Sequence, residues 1–400
     1  MKRLEEKWIH IVQQQQRTRR KEENAPLRRQ LQNIRLLAES TDDFLVLSKL
    51  NIYCTLLSYE HFHHPNQLVY RASEVRLIEA ILPLAEELST QHPIIAIYNH
   101  IRHLFEQLPQ VDQNADERYQ QVRQLVAAEI DYLHPKEGME LYSFLSNYCI
   151  YRMNTGAPHY RKELFLVNNA LINLRYGPRG KKLDPLEAKI FRNMVVVALK
   201  LEEDELFQKL HTERLQTSKA QKGFQNRFEW TEQFIEAYAA KLPAKQRKAY
   251  QAYCKGLLLF YQGKFGAAHR ALHQKLPRLH QAFFNLDIKI LHLKVLFELY
   301  LKSPMVLDTD QIDIKHILEA YRGLIRDEKQ RKKQLAYQLE HYAQFEPLLR
   351  SLYQFAYRYH KKYNTRDEAF RRSKEALRRN LQSAPFTYKN WMLEKLEAIG

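Results

Sequence analysis

Apolar residues along this chain recur at spacings of three and four, and strict alternation over five or more positions is nearly absent. The first spacing places apolar side chains on one face of an α-helix, whereas alternation is the period of a β-strand. Leu47, Leu50 and Leu57 share one such face, and Pro65 marks the end of that periodic segment. The pattern predicts an all-α protein.

Prolines separate most of the apolar-periodic segments from one another. Proline lacks an N–H and has a fixed φ, so it is tolerated in the first turn of a helix and disrupts a helix interior. Treating the prolines as boundaries predicts about sixteen helices joined by short turns. Pro83 and Pro347 fall inside periodic segments, where we expect a kink or a break.

Glycine is scarce, with 10 residues in a chain of 400. Its usual frequency is about 7%. Parallel α/β enzymes and β-sandwiches use glycine at tight turns, phosphate loops and bulges, because those positions need a positive φ or close backbone approach. The shortage therefore excludes folds of those kinds. The 45% hydrophobic content excludes disorder and is sufficient for a long core.

Small residues and a tight turn occur at helical-hairpin spacing in one segment of the chain. Gly256 and Ala268 are small enough to let two helices cross closely, and Gly263 suits the turn between them. Phe265 and Leu272 provide the flanking apolar anchors. This segment resembles a tetratricopeptide repeat, in which a small residue on the first helix faces a small residue on the second.

The resemblance implies a right-handed solenoid in which about sixteen antiparallel helices stack as tetratricopeptide-like hairpins. The whole chain also resembles a group of uncharacterised bacterial proteins built from degenerate helical repeats, and that likeness implies no activity. We predict three regions. They are basic N-terminal helices over residues 1–40, a repeat body over 41–302, and basic, aromatic-rich helices over 303–400 that continue the solenoid.

The net charge of +17 is concentrated at the two ends of the chain. Residues 1–40 carry a net charge of +5, residues 321–400 carry +9, and the stretch between them carries only +3. This asymmetry favours an anionic partner at the ends, either a nucleic acid or an acidic protein surface. The other interpretation is a solvated helix face that keeps the protein soluble.

Aromatic and basic residues interleave near the carboxyl terminus. The candidate partner-binding residues there are Tyr353, Tyr357, Arg358, Lys361, Lys362, Arg371 and Arg372. Cations beside stacking rings are typical of a groove for single-stranded nucleic acid, and the same residue types suit a protein-binding face. An ordinary amphipathic helix is the third alternative, because one face carries Leu349, Leu352, Ala356 and Tyr359. The basic run from Lys329 to Lys333 is interpreted as a solvated surface or an anion-docking site.

Common catalytic signatures are missing from the sequence. There is no GxSxG, HExxH or GxGxxG motif, and the segment from Gly177 to Lys182 lacks the spacing and the Ser/Thr of a phosphate-binding loop. His269 and His273 are four residues apart, as metal ligands on one helix often are. No acidic residue lies near them in sequence, so a metal would need ligands from elsewhere. We therefore predict no catalytic residue, no metal and no cofactor.

Cys54, Cys149 and Cys254 are widely separated, which favours neither a disulfide framework nor a thiolate zinc site. The first residues lack the apolar core of a secretory signal, and no uncharged apolar run is long enough to span a membrane. We expect a soluble cytoplasmic protein. Its predicted function is that of a non-catalytic scaffold or adaptor for protein–protein interaction. The alternative is a nucleic-acid-binding helical protein that uses its basic ends.

Overall fold

The computed structural model of the protein describes residues 43–58, 72–108, 114–176, 186–211, 224–274, 276–277, 279, 282–302, 314–331, 336–362, 368–384 and 388–399. All regular elements in these ranges are α-helices, so the all-α prediction is confirmed for this part of the chain. The predicted N-terminal helices over residues 1–40 lie outside the described residues. None of the described helices is both long and apolar enough to cross a membrane.

The chain divides into two compact units, the N-terminal unit up to Asp184 and the C-terminal unit from Pro185 onward. The described helices of the N-terminal unit are α1 (residues 43–58), α2 (Ala72–Ser89), α3 (Pro93–Glu106), α4 (Ala115–Glu129), α5 (Pro135–Asn154) and α6 (Tyr160–Tyr176). Those of the C-terminal unit are α7 (Ala188–Leu199), α8 (Asp204–His211), α9 (Arg227–Ala239), α10 (Ala244–Tyr261), α11 (Phe265–Leu272), α12 (Ala282–Lys302), α13 (Ile314–Arg331), α14 (Ala336–Ala343), α15 (Phe345–Lys362), α16 (Glu368–Ser383) and α17 (Lys389–Ala398).

Prolines begin helices at several of the predicted boundaries. Pro93 and Pro135 are the first residues of α3 and α5, and the residue before each has an extended backbone. Pro347 lies in the first turn of α15, just after α14 ends, so the break predicted at this proline is confirmed. In contrast, α2 runs through Pro83 without interruption. Asn226 caps α9, because its side-chain oxygen accepts hydrogen bonds from two backbone N–H groups of the first turn.

In the N-terminal unit, α5 and α6 pack closely against each other. Gly138 lies against the end of α6, since a Cβ atom at this position would be only 2.7 Å from Cδ2 of Leu174. Ser146 Oγ donates a buried hydrogen bond of 2.9 Å to Oδ1 of Asn168 in the same contact. Gly156, in the turn between the helices, has a φ of +102°. Glycine at these two positions therefore permits both the turn and the close approach.

In the C-terminal unit, the five residues of the predicted repeat lie on α10, on α11 and in the turn between these helices. Gly263 forms the turn with a φ of +71°, Ala268 is fully buried, and Phe265 is half-buried. The predicted contact partner of Gly256 is Ala268, but the nearest side chain belongs to Leu272. A Cβ atom on Gly256 would lie 2.8 Å from both Cγ and Cδ2 of Leu272. Gly256 therefore lies against Leu272, the last residue of α11.

Helix α12 is buried along most of its length and shares one apolar cluster with the helices that follow it. The cluster includes Leu293 of α12, Tyr321 of α13, Leu352 of α15 and Leu396 of α17. The predicted boundary at residue 303 therefore lies between helices that pack into the same core.

Candidate functional site

The predicted partner-binding residues of α15 lie in different environments. Tyr357 and Arg358 are exposed, with 42% of the Tyr357 surface accessible. Tyr353 is half-buried, and its ring packs against that of Tyr300 on α12 with the centroids 4.5 Å apart. Of the four residues predicted to share one face of α15, the three aliphatic ones are buried, and Tyr359 is half-buried against the same apolar cluster.

The other predicted residues lie on α16 and at the end of α15. Arg371 and Arg372 are exposed, and Arg372 forms an ion pair with Glu368 one turn away. The side chains of Lys361 and Lys362 lie outside the described residues. Ion pairs with glutamate engage two further cations of α16. Several positive charges of this end are therefore partly neutralised within the protein.

A pocket opens on α13, beside α14 and α15. Its lining residues are Tyr321, Arg322, Ile325, Arg326, Lys329, Gln330, Ala343 and Glu346. The surface of the pocket is mostly apolar, and the lining residues Tyr321 and Ile325 are themselves buried. Arg322, Arg326 and Lys329 are exposed at its rim. The pocket therefore combines apolar surface with three positive side chains.

Glu346 holds one of the pocket cations in place. Only 7% of its side chain is accessible, and its Oε1 lies 2.9 Å from guanidinium nitrogens of both Arg322 and Arg350. Arg326 and Lys329 make no ion pair with any residue in the described part of the chain. These two cations are therefore available to an anionic group that enters the pocket.

Three histidines converge where α11 packs against α12. His269 lies on α11, His273 directly follows that helix, and His292 comes from the buried middle of α12. His269 Nδ1 and His292 Nε2 are 2.9 Å apart. Each of the three rings has one nitrogen that lies within 4.8 Å of a nitrogen of both other rings. The sequence draws attention to the first two residues only, whereas the fold supplies the third.

Burial controls the protonation state of His292. Desolvation, together with the nearby groups His269, Lys289 and His273, lowers its pKa to about 3. The imidazole is therefore neutral at neutral pH, and one of its two nitrogens carries a lone pair instead of a proton. His273 is exposed, so one side of the cluster faces solvent.

A half-buried ion pair joins α7 to α12. Asp287 Oδ2 accepts a hydrogen bond of 2.9 Å from Arg192, and its Oδ1 accepts hydrogen bonds of 3.0 and 3.1 Å from the hydroxyls of Tyr342 and Tyr388. Desolvation raises the pKa of Asp287, although these three partners oppose the shift. Both carboxylate oxygens are satisfied, so the arrangement stabilises the packing of four segments.

Lys294 of α12 lies among three aromatic rings. Its Nζ is 4.8 Å from the ring centroid of Trp391, 4.9 Å from that of Phe260 and 5.4 Å from that of Tyr388. Desolvation lowers its pKa to about 7, and Glu298 acts in the opposite direction. Cation–π contacts with these rings stabilise the protonated form of Lys294. Lys294 is thus accommodated by its surroundings within the core.

No match to the chain occurs among protein-family models, curated proteins or solved structures. The fold, the pocket on α13 and the histidine cluster are therefore the basis for assigning a function to the part of the chain that the structure describes.

Proposed function

We propose that the protein is a non-catalytic helical-repeat adaptor that binds an acidic segment of a protein partner in the pocket on α13. The observation that carries this proposal is a mostly apolar pocket surface beside Arg326 and Lys329, two cations with no ion pair among the described residues. An acidic segment with an apolar anchor residue is complementary to such a pocket in both charge and polarity.

Two helix pairs support the repeat architecture. The start of α5 lies against the end of α6 at Gly138 and Leu174, and the middles of the same helices are joined through Ser146 and Asn168. Gly256 of α10 likewise faces the end of α11. We propose that such pairs are antiparallel hairpins, which stack within each unit as a degenerate, right-handed tetratricopeptide-like solenoid. Packing mainly between helices that are close along the chain supports this arrangement.

The composition of the pocket favours a protein segment over a nucleic acid. Arg322 is already paired with Glu346, so the pocket lining offers two cations that are unpaired within the described ranges, and not the continuous basic track that a phosphate backbone needs. Tyr321 is buried, and its hydroxyl donates a hydrogen bond of 2.6 Å to the carbonyl oxygen of Tyr342, so its ring is not presented for base stacking. Grooves for single-stranded nucleic acid instead combine a continuous basic track with accessible rings.

Affinity purification from the native cell, with and without nuclease, tests the proposal. The full chain is compared with an Arg326→Glu/Lys329→Glu variant, and bound proteins are identified by mass spectrometry. Both side chains are exposed on α13, so the charge reversal leaves the core intact. We expect a protein partner that resists nuclease and is lost from the variant, because two favourable charge contacts become repulsive.

A Lys245→Glu/Lys248→Glu variant is the matched control. These lysines are exposed on α10 of the same unit, have the same spacing, and give the same change in net charge. We expect this variant to retain the partner. Retention by the pocket variant as well, or loss from both variants, would contradict binding in the pocket. Loss of every partner after nuclease treatment would favour nucleic-acid binding through the basic ends.

A further inference from the structure

We propose that His269, His273 and His292 bind one divalent transition-metal ion, of the class of Zn²⁺, where α11 packs against α12. None of the three residues lines the pocket on α13, so the metal site does not depend on the proposed adaptor function.

The nitrogen atoms are close to the spacing that such an ion requires. Tetrahedral coordination with metal–nitrogen bonds of about 2.0–2.1 Å places the nitrogens about 3.3 Å apart. One nitrogen from each of the three rings lies within 4.8 Å of the other two. His269 Nδ1 and His292 Nε2 are hydrogen-bonded at 2.9 Å, so a metal that binds both nitrogens replaces this hydrogen bond, and the proton that it held moves to the other nitrogen of the donor ring. His273 is exposed and free to change rotamer, so a side-chain rotation completes the set.

The backbone holds the three ligands in place from two sides. His269 and His273 are four residues apart, and the backbone of His273 keeps near-helical angles of φ −75° and ψ −9°, so both rings lie on one face. His292 lies between Leu291 and Leu293, both of which are buried, and its position is therefore fixed by the core. A metal at this point would link two helices that already pack together.

The ligand chemistry selects the class of metal. Imidazole nitrogens suit Zn²⁺, Co²⁺, Ni²⁺ and Cu²⁺, whereas Mg²⁺ and Ca²⁺ prefer oxygen ligands. Three neutral ligands leave the full charge of the ion uncompensated and one coordination position open, as in zinc sites that keep three protein ligands and a water molecule. Because His273 is exposed, that position is accessible to water or an anionic group.

Lys289 is the cation whose charge acts on this site. It precedes His292 by one turn of α12, and its positive charge helps to keep that imidazole neutral. Desolvation lowers the pKa of Lys289 as well. The positive charge of Lys289 opposes a bound cation but favours an anion at the open position.

Titration of the metal-free full chain with Co²⁺, followed by visible absorption, tests the site, and calorimetry with Zn²⁺ provides a second measurement. We expect one ion per chain, and a decrease in affinity of about 100-fold or more for His273→Gln. Zn²⁺ should also raise the unfolding temperature of the wild type and not that of His273→Gln, because a ligand of the folded state stabilises that state. The exposure of His273 makes this substitution mild, and circular dichroism checks that the variant folds.

His100→Gln is the matched control, since His100 is an exposed histidine on α3. It should retain the wild-type affinity. The wild type and both variants share the other histidines, including His61, His63 and His64 outside the described residues. Any weak metal binding by those histidines therefore contributes equally to the three affinities that are compared. Equal affinity in the wild type and His273→Gln, or no stoichiometric binding by the wild type, would overturn the proposal.

Discussion

Replacement of Gly256 by leucine should destabilise the C-terminal unit, because α10 and α11 cross at this residue. A Cβ atom at position 256 would lie 2.8 Å from Cγ and Cδ2 of Leu272, where ordinary van der Waals contacts are 3.4–4 Å. Leu272 is only 4% exposed, so it has little free space into which to move. Every larger side chain at position 256 therefore forces the two helices apart or displaces Leu272.

The magnitude follows from two opposing effects. Alanine in place of a mid-helix glycine stabilises a helix by about 1 kcal/mol, and overpacking of a core costs about 1–3 kcal/mol. We therefore expect Gly256→Ala to lower the free energy of unfolding by about 0–2 kcal/mol. Gly256→Leu adds three further carbon atoms and should lower it by about 3 kcal/mol. With a urea m-value of about 2 kcal/mol/M, that loss moves the unfolding midpoint down by about 1.5 M.

Urea unfolding followed by tryptophan fluorescence measures these changes, because Trp230 and Trp391 both belong to the C-terminal unit. Gly323→Ala is the matched control. Gly323 lies inside α13, and a Cβ atom there would meet nothing within 4 Å, so this variant should gain about 1 kcal/mol. An unchanged midpoint for Gly256→Leu, or equal stabilisation by Gly256→Ala and Gly323→Ala, would refute the close crossing of α10 and α11.

Three further predictions follow from buried groups. The pKa of His292 is about 3 in the folded protein and about 6.5 in the unfolded chain, so a fall in pH protonates the unfolded state first. When the pH falls from 7 to 5.5, the free energy of unfolding of the metal-free wild type, measured by chemical denaturation, should decrease by about 1 kcal/mol more than that of His292→Gln. Equal decreases in the two proteins would contradict this prediction. Asp287→Asn should cost about 2 kcal/mol in thermal unfolding, because it leaves the half-buried Arg192 without its counter-charge. A loss below about 1 kcal/mol would contradict that role. Burial raises the pKa of all three cysteine thiols, so a thiol-reactive dye should label none in the native protein and all three after denaturation.

Features that depend on short stretches of chain could be predicted from the sequence. The spacing of apolar residues identified the helices because the period of a helix is local, and Pro347 marked a real helix break for the same reason. Gly263 was recognisable as the turn residue because its neighbours carry the helical pattern on both sides. The exact partner of Gly256 was not recognisable, because it depends on where the two helices cross.

Features that join distant segments could not be predicted. His292 approaches His269 only because α12 packs against α11, and no spacing in the sequence relates these two residues. The basic run beginning at Lys329 was visible, but the pocket also needs Ala343 and Glu346 from α14 and α15. The role of Tyr353 in the core was likewise hidden, because its contact with α12 comes from tertiary packing.

Site-specific photo-crosslinking at Gln330 tests the adaptor proposal most directly. Gln330 is an exposed lining residue of the pocket on α13, and a photoreactive phenylalanine analogue placed there in the full chain contacts whatever the pocket binds in the native cell. The same probe at Tyr132, which is 66% exposed on the N-terminal unit, is the control. We predict a nuclease-resistant adduct with a protein at position 330 only, which disappears from the Arg326→Glu/Lys329→Glu variant. No protein adduct at position 330, or an adduct that nuclease removes, would contradict the proposal.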